Sequence, residues 1–176
     1  MAGHSTQAID DEALKAALDE LAQKPRVLLI VAPYYSDIAD TLETNARRVL
    51  NRAHADVLKV VVPGALEIPQ ALELALSEPA YGTIDAAVAI GCVIRGETSH
   101  YDIVCHNTNH WLMDVALSHG VPVGNAILTV DTHEQAVVRA AATTGNGGKG
   151  ADAARAALSL ISVANPPGAQ QDITSV

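Results

Sequence analysis

The run Arg95-Gly96-Glu97-Thr98-Ser99-His100-Tyr101-Asp102 sets a guanidinium, two carboxylates, two aliphatic hydroxyls, an imidazole and a phenol side by side. It joins an apolar, strand-like stretch to an amphipathic one, so it reads as the turn into a helix, with Gly96 free to take backbone angles that other residues resist. Ser99 and Asp102 have the spacing of a capping box, and that role alone would explain both. The alternative is an anion site: amides and hydroxyls at a helix start attract phosphate, which would then sit against Thr98 and its neighbours. His100 would lie in the first helical turn, where the positive end of the helix dipole favours a neutral imidazole able to take a proton. A plain surface histidine fits the same position.

Other candidates are weaker. His106 and His110 are one helical turn apart, but the glutamate of a zinc-protease motif does not lie between them, so no metal is expected. Gly145-Asn146-Gly147-Gly148-Lys149-Gly150 resembles a phosphate loop, yet Thr143 stands where its first glycine belongs and glycine follows Lys149. It also follows a helical pattern rather than a strand and reads as a connector, from which Lys149 could still reach a ligand. Glu67, after Gly64-Ala65-Leu66, is either a helix-start carboxylate or an acceptor for a ligand. Arg139 on its amphipathic segment is unremarkable by itself.

The elements that must hold these residues alternate. Short β-branched runs over 27–32, 57–62, 86–90 and 121–128 are separated or followed by helical patterns over 38–53, 68–76, 101–117, 132–142 and 151–161. Such βα repetition implies a parallel sheet, and right-handed crossovers put helices on both faces. The expected fold is an α/β, flavodoxin-like three-layer sandwich around a central four-stranded parallel sheet, with all four strands buried. In these folds ligands bind beyond the carboxyl ends of the strands, where the unusual segments cluster. Before residue 26, Ile9, Ala13, Leu14, Ala17, Leu18 and Leu21 recur at helical spacing, with Asp10 as N-cap and Pro25 as terminator. We therefore divide the chain into a helical arm (1–25), one domain (26–164) and a frayed tail (165–176).

Composition narrows the function. Of 176 residues 49% are hydrophobic, but Phe is absent and aromatics make up only 3%, so Val, Ile, Leu and Ala must fill the core. A formal net charge of −9 argues against nucleic acid or an anionic membrane as partner and makes any phosphate site local. Cys92 and Cys105 have no short metal-binding spacing and read as packed thiols. The first residues lack the basic start and apolar run of a signal peptide, and no stretch is long enough to span a bilayer, so a cytoplasmic protein acting on small molecules is expected.

Three segments, taken in order, carry a resemblance. Val62-Pro63-Gly64-Ala65-Leu66-Glu67-Ile68-Pro69, then Gly91-Cys92-Val93-Ile94-Arg95-Gly96-Glu97-Thr98-Ser99-His100-Tyr101, then Pro122-Val123-Gly124-Asn125-Ala126-Ile127-Leu128-Thr129 closely resemble the lumazine synthase family. The likeness continues through Glu134-Gln135-Ala136 to Arg139 and Lys149-Gly150-Ala151-Asp152, leaving only the arm and the tail outside it.

The resemblance implies condensation of 5-amino-6-(ribitylamino)uracil with 3,4-dihydroxy-2-butanone 4-phosphate to 6,7-dimethyl-8-ribityllumazine, without metal or redox cofactor. It places Tyr34 on the pyrimidine ring and Val93 and Ile94 in the ring pocket. Gly64, Ala65, Leu66 and Glu67 would hold the ribityl chain and ring, with Glu67 accepting from the hydroxyls. Gly96, Glu97 and Thr98 would contact phosphate, Arg139 would be its principal cation, and His100 would transfer protons, with Asp152 orienting it. Asn125 and Lys149 would reach in from the neighbouring subunit, since the family builds its sites between adjacent chains of a ring pentamer. Riboflavin synthase would be the downstream partner.

Tyr34 and Leu66 stand where the family often has phenylalanine, and the loop from Thr143 to Lys149 looks long. From that loop a free pentamer or a pair of pentamers is expected in place of an icosahedral shell. Two other readings share the scaffold: a non-catalytic flavin- or lumazine-binding protein and, more distantly, a flavodoxin-like electron carrier. A carrier would need only the ring-stacking half of the site, whereas Thr98, His100, Arg139 and Lys149 together point to a phosphate-eliminating enzyme.

Overall fold

The computed structural model describes residues 11–19, 21, 23–141 and 147–165. Strand β1 (Arg26–Val31) is apolar from Val27 onward because both of its faces are covered there. Val27, Leu29 and Val31 point into one core layer, Leu28 and Ile30 into the other, as the two-residue period of a strand requires. It pairs in parallel with β2 (Asp56–Val61) on one side and β3 (Ala86–Ile94) on the other, and β4 (Val123–Val130) extends the sheet beyond β3. The order β2-β1-β3-β4 and the helices on both faces give the expected flavodoxin-like sandwich.

One helical layer holds α2 (Ser36–Arg52), α5 (His133–Ala140) and α6 (Gly148–Ala164), and the other holds α3 (Glu67–Ser77) and α4 (His100–His119). The first layer is packed unusually closely because small residues line it. A Cβ built on Gly124 of β4 would run into the Ala153 carbonyl of α6, and one on Gly150 of α6 into the Leu42 carbonyl of α2. Helix α1 (Asp11–Asp19) buries Leu14 and Leu18 in the same layer. The arm's Ile9 and its N-cap, Asp10, lie outside the described residues.

The expectation that all four strands are buried holds for β1 and for most of β3 but fails at β2, whose residues are intermediate or exposed and whose Val61 is 57% exposed. Position in the sheet is the reason, since β2 and β4 are its edges. On β4 the outward Asn125 folds its own Oδ1 back to accept from the Ile127 amide at 2.9 Å, which satisfies an edge N–H. Strand β3 runs on to Ile94 rather than ending at Ile90, because Gly91 and Cys92 pair with Ile127 and Leu128. Helix α6 starts at Gly148, three residues before the expected Ala151, with Gly147 before it at φ 89°, a left-handed value that glycine tolerates. The length of the preceding loop falls on residues 142–146, outside the described residues. No helix among the described residues is long and apolar enough to cross a membrane.

Candidate active site

The carboxyl ends of β1, β2 and β3 open into one cavity of about 320 Å³, within the roughly 300–1,000 Å³ usual for small-molecule sites. Each strand contributes its following loop. After β1 come Tyr34 and Tyr35, after β2 Gly64, Ala65, Leu66 and Glu67, and from the end of β3 onward Cys92, Val93, Ile94, Gly96 and Thr98. His100, Tyr101 and Val104 of α4 close it.

Tyr34 is 74% exposed and meets Tyr35 edge-on, ring centroids 5.1 Å apart at 69°. That leaves the face of an exposed ring beside the cavity for a planar ligand. Tyr35 precedes α2, packs partly into the core, and has its phenol raised above its ordinary pKa by burial first and then by the neighbouring Tyr34 and Cys92. On the β2 side, a Cβ on Gly64 would come within 3.1 Å of Glu67 Oε2, so the glycine leaves room for that carboxylate to turn back over the loop at the start of α3. Burial, and secondarily Asp37, pushes the Cys92 thiol up to about 11, so it behaves as the packed group the sequence suggests.

The start of α4 differs from its expected form. Ser99 is helical (φ −66°, ψ −3°) and makes no side-chain cap bond, so the capping box is not formed. A true cap needs an extended backbone at that residue. Thr98 Oγ1 instead accepts from the His100 amide at 3.4 Å. Asp102 turns away to Arg95, whose Nη2 donates to Asp102 Oδ1 at 3.2 Å and whose Nε donates to Asp131 Oδ1 at 3.1 Å. The Arg95 guanidinium also lies 4.0 Å from the centroid of the Tyr101 ring. Burial first, then the neighbouring Cys105, raises the Tyr101 phenol above its ordinary pKa. A Cβ on Gly96 would meet nothing within 4 Å, so packing does not demand glycine there and the loop backbone stays open to a ligand.

The cavity thus assembles Tyr34, Gly64, Ala65, Leu66, Glu67, Val93, Ile94, Gly96, Thr98 and His100. It does not take in Glu97, exposed on the same loop, nor Asn125, Arg139, Lys149 or Asp152. Asn125 donates to Asn109 Oδ1 at 2.6 Å from the outer edge of β4. Arg139, in the last turn of α5, donates to the Gln135 carbonyl at 3.2 Å. Lys149 and Asp152 pair at 3.0 Å on the first turn of α6, where Asp152 also lies 3.7 Å from Arg155. Asp152 is therefore engaged by cations of its own helix.

Sequence reasoning did not single out Tyr35, Cys92, Tyr101 or Val104 as lining residues. Tyr35 and Tyr101 had one usable signal, as two of the few aromatics in the chain, each beside a strand end. His106 and His110 are exposed, and among the described residues no group of three or more His, Cys, Asp or Glu is placed to hold a metal ion.

A family described as 6,7-dimethyl-8-ribityllumazine synthase matches residues 24–165. The chain is 48% identical over 160 residues to the 6,7-dimethyl-8-ribityllumazine synthase of Methylorubrum populi, covering 90% of this chain and 93% of that one. It is 49% identical over 148 residues to the protein of the same name from Azorhizobium caulinodans, covering 83% and 90%. The corresponding protein of Xanthobacter autotrophicus is 47% identical over 148 residues, covering 83% and 88%.

Proposed function

The chain belongs to the 6,7-dimethyl-8-ribityllumazine synthase family, and from that premise we infer how its cavity works. The enzyme condenses 5-amino-6-(ribitylamino)uracil with 3,4-dihydroxy-2-butanone 4-phosphate to 6,7-dimethyl-8-ribityllumazine, releasing phosphate and water. The observation that carries the site assignment is the meeting of His100, at the start of α4, with an apolar ring pocket and the Gly64–Glu67 loop in one cavity.

In this reading the pyrimidine stacks on Tyr34 against Val93 and Ile94, while its ribityl chain lies over Gly64, Ala65 and Leu66 and donates to Glu67. The butanone phosphate sits at the loop of Gly96, Glu97 and Thr98. The amine attacks the ketone and water leaves to form an imine. Loss of a proton gives an enol, phosphate departs, and ring closure expels a second water. His100 serves first as general base and then as general acid, worth about 10²–10⁴-fold. Holding two small molecules together can supply effective molarities of roughly 10⁵–10⁸ M, so positioning outweighs proton transfer here.

The phosphate leaves as an anion, and among the described residues no lysine or arginine lines this chain's cavity. Arg139, the exposed Lys149 and Asn125 supply that charge and polarity from the adjacent subunit of a ring, and Asp152, paired with Lys149 on its own helix, would have to leave that partner to orient His100 across the same seam. Exposed apolar side chains support such assembly: Ile103, Trp111 and Leu117 on α4 and Val137 and Val138 on α5. The ring is a free pentamer or a pair of pentamers, its product passes to riboflavin synthase, and its two unpaired thiols suit the cytoplasm. Mixing the purified protein with both substrates tests the activity: lumazine absorbance and fluorescence must appear with release of phosphate. Binding of lumazine without turnover would leave only a carrier.

A further inference from the structure

We propose that Arg95 is a positioning residue: by gripping Asp102 and Asp131 and stacking on Tyr101, it fixes the start of α4, and so the His100 imidazole, against the β4–α5 turn. The inference rests on the reading of His100 as the proton-transfer group.

The first turn of α4 needs an external hold. Ser99 does not cap it, and the near contact of the His100 amide is a 3.4 Å approach to Thr98 Oγ1. Arg95 supplies the hold from three directions. Its amide donates to the Val130 carbonyl at 2.9 Å, which anchors it at the end of β4. Its guanidinium then spans from Asp131, just past β4, to Asp102, two residues beyond His100, at 3.1 and 3.2 Å. The same planar group lies on the ring of Tyr101, the residue next to His100.

Asp131 is in turn fixed, its amide donating to Gln135 Oε1 at 3.0 Å within the first turn of α5. Arg95, Asp102 and Asp131 do not line the cavity. Their influence on a ligand there passes through the residues they hold. A lysine would not substitute, because an ammonium is a point charge that cannot fork to two carboxylates while lying flat on an aromatic ring.

The test measures single-turnover rate, KM for each substrate and melting temperature for Arg95→Ala, Arg95→Lys, His100→Ala and the double variant Arg95→Ala/His100→Ala. Arg95→Ala is expected to lower the rate by about 10–10²-fold, the cost of a displaced catalytic group, with KM for the pyrimidine unchanged within about twofold. Arg95→Lys should stay nearly as slow. The double variant should be no slower than His100→Ala alone, since a residue acting through His100 has nothing left to position.

Losses that multiply in the double variant, or a native rate in Arg95→Ala beside an impaired His100→Ala, would overturn the positioning role alone. A native rate in His100→Ala would remove the underlying reading of the site and the proposal with it. If Arg95→Ala does not fold, Asp102→Asn combined with Asp131→Asn cuts both arms at nearly constant shape. That pair must show the same slowed rate and unchanged pyrimidine KM, and native turnover in it would overturn the proposal equally.

Discussion

Gly124→Ala adds one methyl group where β4 meets α6, and the structure fixes what that methyl would strike. Its Cβ would fall well inside contact distance of the Ala153 carbonyl oxygen and carbon, backbone atoms that no rotamer change can move aside. Helix α6 cannot simply slide away, because at Gly150 its own backbone already lies against the Leu42 carbonyl of α2, and Ala151, Ala154 and Ala157 are fully buried between them. Overpacking of a core ordinarily costs about 1–3 kcal/mol, and a backbone obstacle puts this case at about 3 kcal/mol or above. For a chain of this size each kcal/mol corresponds to roughly 2–4 °C, so the melting temperature should fall by about 6–12 °C.

The comparison is Gly96→Ala, where the added methyl meets nothing within 4 Å and stability should stay within about 0.5 kcal/mol of native. Thermal unfolding of all three proteins at one protomer concentration is the assay, since assembly makes melting concentration-dependent. A Gly124→Ala protein melting within about 2 °C of the native one would refute the close approach of α6 to the sheet.

His100→Ala should slow turnover by about 10–10³-fold and leave the assembly intact, which steady-state rates and sedimentation together check; an unchanged rate removes the proton-transfer role. Arg139→Ala should weaken the apparent affinity for the butanone phosphate by about 10–10²-fold through the lost charged hydrogen bonds, leaving the pyrimidine KM alone. An unaltered KM for the phosphate substrate contradicts it. The buried Cys92 thiol is raised from 9.0 to about 11, so the folded state keeps a proton that the unfolded chain releases. That contribution to stability is complete below pH 9 and is lost as pH climbs through 11, on the order of 2 kcal/mol. Urea unfolding across that range should show the decline in the native protein and a flatter curve in Cys92→Ala.

What was legible in the sequence was local. The run Val27-Leu28-Leu29-Ile30-Val31 declares a strand covered on both faces, and the helices follow their apolar period closely. The segment Val57-Leu58-Lys59-Val60-Val61 has much the same composition, yet β2 is an edge, because strand order is settled by crossovers and not by the residues of the strand itself. The one local hint was Lys59, whose ammonium reaches out to Glu43 at 2.7 Å. The strand expected over 86–90 runs on through Gly91 and Cys92, since pairing with β4 overrides their weak propensity.

The site divides in the same way. The loops after β1, β2 and β3 could be placed together from the rule that ligands gather at carboxyl ends of parallel strands. The capping box at Ser99 satisfied its spacing but lost to a longer-range competitor, because Arg95 draws Asp102 toward Asp131, 36 residues beyond the arginine. Spacing cannot reveal such a contact. Composition and spacing gave no sign of which cavity Arg139 and Lys149 serve, and only the family resemblance pointed to one, since the proposed cavity belongs to another copy of the chain.

A site shared across a subunit seam can be read out by mixing subunits. His100→Ala and Arg139→Ala proteins, each impaired alone, are unfolded together in equal amounts and allowed to reassemble, and lumazine formation is measured before and after. If His100 of one chain works with Arg139 of its neighbour, about a quarter of the sites in a randomly mixed ring pair an intact His100 with an intact Arg139, and activity should rise to about that fraction of native. Activity that stays at the average of the two separate variants would mean that both residues act within one chain, and the shared site would be wrong.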